Sequence, residues 1–119
     1  MNPSAQPGKP DEAALSQAID RLWVKFLPDI RERVAILESA AAAVTQEKLT
    51  APHREQAQAA AHKLAGVLGT FSLTRGTVLA RELEMTYSRE SSPEPDSGAQ
   101  LTAIAAEIRA IVESRPSKG

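Results

Sequence analysis

The sequence predicts an all-α domain, an antiparallel up-down four-helix bundle with an additional N-terminal helix. Three observations lead there. Alanine is abundant and only four residues are aromatic, so few positions favour strand. Apolar residues recur at helical spacing in five successive segments. The connections between those segments are short, which makes consecutive helices antiparallel neighbours.

Residues 1–10, with three prolines and a glycine, read as a disordered leader. The first helical segment places Leu15, Ile19, Leu22, Trp23 and Phe26 on one face, with Asp11 as its N-cap. Trp23 and Phe26 are read as core. Pro28 ends or kinks that helix, and Ile30, Val34, Leu37, Ala41 and Val44 continue a helical stripe; two closely linked helices are favoured over one bent helix. The third segment starts with Thr50 as cap and Pro52 in its first turn, and runs to about Gly69. A fourth spans roughly Leu73 to Ser88 and buries Leu79, Leu83 and Tyr87. Ser91 to Gly98 form a loop rich in helix-stopping residues, after which a last helix buries Leu101, Ile104, Ala105, Ile108 and Val112. The domain is expected to span 11–114, with 115–119 as a frayed tail.

Composition narrows the function. A chain of 119 residues makes one domain with a modest core. The absence of cysteine removes disulfides, zinc–thiolate sites and thiol catalysis together. A net charge of −1 gives no electrostatic case for nucleic acid. No apolar run approaches the length of a membrane span and no signal-peptide core is present, so a cytoplasmic, monomeric protein without membrane association is expected. His53 and His62, without a carboxylate at ligand spacing, make a poor metal site, and no phosphate-binding glycine loop or nucleophile elbow is present. An autonomous enzyme is not expected.

The segment Ala61-His62-Lys63-Leu64-Ala65-Gly66-Val67-Leu68-Gly69-Thr70-Phe71 stands apart. A glycine inside a helix costs about 1 kcal/mol relative to alanine, so two within one turn need a reason. Ala57, Ala61, Leu64, Leu68 and Phe71 form one apolar stripe. His62 lies about 140° from the centre of that stripe, Gly66 about 180° and Gly69 about 120°. The imidazole therefore sits on a face that two glycines clear of side chains, open to a partner. His53 falls towards the apolar side near a helix start and is read as structural.

These residues, with Leu79-Ala80-Arg81-Glu82-Leu83-Glu84 after them, resemble the histidine-containing phosphotransfer domain of bacterial two-component phosphorelays. That family's pattern is His-x-Leu-Lys-Gly, then a small residue, then a helix ending near Leu-Glu. The specific match covers about residues 61–84 and the helical layout extends it over roughly 11–113. The resemblance implies a phosphocarrier without kinase activity of its own. Its histidine, His62 here, exchanges a phosphoryl group with the aspartate of a response-regulator receiver domain, and a sensor kinase is a further possible partner. No cofactor is implied on this chain; Mg²⁺ belongs to the receiver. Gly66 matches the family glycine that lets the receiver approach, with Gly69 beside it. The family lysine falls at position 65, which is alanine here. Lys63 stands closest in sequence as a substitute, about 100° further round the helix. Glu84 matches a polar position that hydrogen-bonds the histidine's other nitrogen, and Ser72 stands where relatives often carry another glycine. The initiating Met and unstructured ends suggest a stand-alone carrier. The alternative is a phosphotransfer-inactive module that sequesters a receiver or kinase, an idea to which Ala65 lends weight.

Overall fold

The computed structural model describes residues 9–116. Helix α1 spans Lys9–Thr45, α2 Ala51–Thr70, α3 Thr74–Tyr87 and α4 Gly98–Ser114, with a short 3₁₀ turn at Pro95–Ser97. Among the described residues there is no strand. Helix α2 packs most extensively on α3 and α1 on α4, and the α1–α2 and α3–α4 contacts close the ring. This is the expected up-down bundle. No helix is long and apolar enough to cross a membrane among the described residues.

The N-terminal arrangement differs from the sequence expectation. The two expected helices are one, running 37 residues through Pro28. An interior proline costs a helix about 3 kcal/mol, because it removes a hydrogen bond and crowds the preceding turn. Here Trp23, Leu27, Ile30, Val34, Leu37, Ala41 and Val44 are all buried and stay in phase across the proline. Breaking the helix would take half of that stripe out of register, so packing outweighs local preference. Pro28 itself faces solvent. The helix starts at Lys9, which puts Asp11 in the first turn and not at the cap. Lys9 and Pro10, assigned to the leader, are therefore helical; the rest of that leader lies outside the described residues.

The first turns of α1 also run past the end of α2. Trp23 is fully buried and meets Phe71 edge-on at 5.1 Å, just beyond the last residue of α2. Leu15, Leu22 and Phe26, expected on a buried face, are 61%, 43% and 38% exposed. Ile19 is partly buried. Leu22 and Phe26 stand at the same height as the buried Trp23 and Leu27; they are exposed because, with Leu15, they fall about 60–100° round the helix from the centre of the buried stripe. At the other terminus Arg115 is not frayed. Its guanidinium lies 5.1 Å from the Trp23 ring centre and 5.4 Å from that of Phe71, and pairs with Asp20 at 3.3 Å. Residues 117–119 of the expected tail lie outside the described residues.

Helix ends are set by local chemistry. Thr50 caps α2, its hydroxyl accepting the His53 amide at 3.2 Å, with Pro52 in the first turn. At the far end the Leu73 amide reaches the Leu68 carbonyl and the Ser72 amide the Gly69 carbonyl, at 2.9 and 3.0 Å. That pattern needs a left-handed residue at the second of these positions. Ser72 supplies it with φ 62°, and Glu47 does so after α1 with φ 57°. Arg31–Glu113 and Arg109–Glu38 join α1 to α4, and Arg75–Glu107 joins α3 to α4. Such exposed pairs set register more than stability.

Among the described residues, two buried polar side-chain atoms have no hydrogen-bond partner, Trp23 Nε1 and Tyr87 Oη. Burial pushes the Tyr87 phenol up to about 12. The folded state keeps a proton that the unfolded chain releases near pH 10. Stability is thus intact below pH 10 and falls by about 1.4 kcal/mol per pH unit as pH rises towards 12. Tyr87→Phe should abolish that alkaline loss in urea titrations at pH 9 to 11. In the same assay Ser72→Gly should stabilise by about 1 kcal/mol, by relieving the left-handed strain. Gly98→Ala should destabilise by about 1–3 kcal/mol, because its methyl group would collide with the Thr45 side chain.

Candidate functional site

Helix α2 presents two faces of different character. Ala57, Ala60, Ala61, Leu64, Ala65 and Leu68 are buried. His62, Lys63, Gly66 and Gly69 are exposed. The periodicity that builds the core thus places the imidazole outside it.

Helix α3 supplies the imidazole's partner. Glu84 sits on the edge of α3 that faces α2, and its Oε2 lies 2.7 Å from His62 Nδ1. The two residues are 22 positions apart and meet because α2 and α3 run antiparallel through a tight turn. An ionised carboxylate only accepts hydrogen bonds, so Nδ1 must donate. In neutral imidazole the remaining nitrogen, Nε2, then carries the lone pair. The His62 side chain is 70% exposed and Glu84 24% exposed. The geometry therefore yields an oriented imidazole with its nucleophilic nitrogen directed away from the protein's own carboxylate.

The surface around His62 is a shallow depression of about 340 Å³, lined by Glu55, Gln58, Ala59, His62, Lys63 and Glu84. Glu55, Gln58 and Ala59 precede His62 by seven, four and three residues, the spacing that places them on its face. Helical spacing alone could have singled them out. Lys63 shares this depression, so the structure brings it beside His62 and Glu84.

The two glycines differ. A methyl group on Gly66 would meet nothing within 4 Å, so nothing inside this molecule requires glycine there. A methyl group on Gly69 would lie 3.5 Å from Thr77 Oγ1, an ordinary contact with α3. Thr77 Oγ1 also donates to the Ala65 carbonyl at 3.2 Å. Ala65 is only 2% exposed and belongs to the α2–α3 contact. Thr77 had no signal in the sequence, because its role depends on which residues of α2 it meets. His53 sits apart, partly buried, with Nε2 3.5 Å from Ser39 Oγ, away from His62. Among the described residues no group of three or more metal-binding side chains comes together.

The family model described as Hpt domain matches residues 21–114. Protein RcaC of Microchaete diplosiphon is 36% identical over 66 residues, which are 56% of this chain and 10% of that protein. The chain thus spans about a tenth of the length of that relative. No solved structure matches the chain with significance.

Two measurements test the site's geometry. ¹⁵N NMR of His62 should show the Nδ1–H tautomer, and Glu84→Ala should return the ring towards a mixture of both. Gly66→Ala should raise unfolding stability by about 1 kcal/mol, since the added methyl group meets no atom and the helix gains.

Proposed function

The chain belongs to the Hpt domain family, whose members act as phosphocarriers in two-component signalling, and on that premise we propose that His62 exchanges a phosphoryl group with the aspartate of a response-regulator receiver domain. The observation that carries this reading is the His62–Glu84 hydrogen bond on a face left open at Gly66. Glu84 fixes the tautomer, and the exposed Nε2 is the nucleophile.

The Nε2 lone pair attacks the phosphorus of an aspartyl phosphate on the receiver. The bond from phosphorus to the aspartyl oxygen breaks, and its electron pair leaves with the carboxylate. The imidazole keeps its Nδ1 proton and becomes a phosphorylated imidazolium, whose positive charge faces Glu84 across 2.7 Å. No proton must leave, and the reverse step returns the group by the same path. Phosphoryl transfer needs positioning and charge stabilisation more than covalent chemistry from the protein. Mg²⁺ for that purpose is assigned to the receiver.

Access supports the same reading. An exposed helix glycine with no internal neighbour costs stability and gains nothing unless another surface approaches it. The exposed Leu15, Leu22 and Phe26 form an apolar flank on α1, with Phe26 against Phe71 at the end of α2, where a docking partner would find it. Lys63 flanks His62 as a mobile positive charge.

A phosphorylated receiver should label the wild-type chain with acid-labile, alkali-stable phosphate, and His62→Gln should take no label. Label retained in His62→Gln would sink the assignment. Gly66→Leu should slow transfer by at least about tenfold while the His62 tautomer stays unchanged, since it obstructs approach and not chemistry. A sequestering module, the reading that Ala65 favours, would instead bind a receiver and leave His62 unlabelled.

A further inference from the structure

A phosphoryl group on Nε2 brings about −1.5 to −2 charges to a surface that already holds Glu84 and Glu55. The phosphocarrier reading, on which the following rests, therefore requires a cation. Position 65 does not provide it. Ala65 is buried in the α2–α3 contact and its carbonyl accepts the Thr77 hydroxyl, so this edge of α2 is committed to packing. Lys63 projects about 100° round α2 from His62 and shares its depression with the carboxylates of Glu55 and Glu84, which compete for its ammonium group.

Helix α3 offers a better-placed candidate. Glu84 touches α2 at His62 and Thr77 touches it at Ala65, which fixes the register of the two helices. Arg81 lies four residues after Thr77 and three before Glu84. The three residues fall within an arc of about 60°, along one edge of α3. Arg81 therefore stands between the two anchor points, level with the stretch of α2 from His62 to Gly66. It is exposed. Among the described residues it makes no hydrogen bond or ion pair, whereas Arg75, one turn and a half earlier on the same helix, is held by Glu107. The bare surface at Gly66 leaves its path towards the imidazole clear.

We infer that Arg81 is the phosphoryl-binding cation of phosphorylated His62, supplying from α3 the charge that the motif's lysine would have supplied from α2. A guanidinium presents two parallel N–H donors to a pair of phosphoryl oxygens, a geometry that an ammonium group does not offer. Before phosphorylation the arginine has no partner to release. Afterwards it closes over the modified ring from the side opposite Lys63.

The test uses the full chain and phosphoramidate, a small donor that needs no receiver. ³¹P NMR of the phosphorylated protein reports the pH midpoint at which the phosphoryl group takes up a proton. A neighbouring cation favours the dianion and lowers that midpoint. Arg81→Ala should raise it by roughly half a pH unit or more, Arg81→Lys should restore part of the shift, and Lys63→Ala should move it less than Arg81→Ala does. Arg81→Ala should also slow transfer from a phosphorylated receiver by about tenfold, with an unchanged thermal melt. A midpoint that does not move in Arg81→Ala, or that moves in Lys63→Ala instead, removes Arg81 from this role and leaves the carrier reading standing. A wild-type chain that accepts no phosphoryl group from either donor overturns both.

Discussion

The close apposition of α2 and α3 is the constraint on which the site depends. Ala61 and Ala65 on α2 are buried, and on α3 Ala80 is buried while Gly76 leaves room for Leu68, where a methyl group would come within 2.9 Å of that side chain. Where large side chains would hold the backbones apart, these let Thr77 reach a main-chain carbonyl of α2 and let the short Glu84 side chain reach His62 Nδ1. Ala65 belongs to this contact, its side chain buried and its carbonyl accepting the Thr77 hydroxyl.

Site and core are separated with little compromise between them. The core is continuous from Trp23 through Val44 on α1 and across the buried faces of the other helices. His62 stands outside it, held by one hydrogen bond and otherwise exposed. Such a group can change its charge by about two units without bringing charge into low-dielectric surroundings. Helix α1 adds a different asymmetry. It runs unbroken through Pro28, and one flank of its first half leaves Leu15, Leu22 and Phe26 partly exposed, Phe26 resting edge-on against Phe71.

On the proposed reading, the chain divides the work with its partner. It contributes a nucleophile of fixed tautomer, an approach path, and a cation from α3. The receiver contributes the metal ion and the activated phosphoryl group. A carrier of this kind needs no deep pocket, because the catalytic surroundings form only when two surfaces meet. The shallow depression around His62 fits that economy.

Much of this was legible in the sequence, for a physical reason. The 3.6-residue period of apolar side chains fixes which face of each helix is buried, so the stripes of α2, α3 and α4, the outward placement of His62 and Gly66, and the capping of α2 by Thr50 follow from residue spacing alone. Spacing is a local property. It does not say how wide a stripe the neighbouring helices cover, which is why Leu15, Leu22 and Phe26 read as buried and lie exposed on its flank, and why Pro28 read as a break that the packing on both sides overrides. It also does not give the register between helices. The contacts of Glu84 with His62, Thr77 with Ala65 and Arg115 with Trp23 bridge 22, 12 and 92 positions, and only the tertiary structure decides them, because each depends on the height at which two helices meet. The sequence determined the bundle and the exposed histidine, and its resemblance pointed to Glu84; the tertiary structure decided the height at which α3 meets α2, which brings Glu84 within 2.7 Å of His62, because that height is not a property of either helix alone.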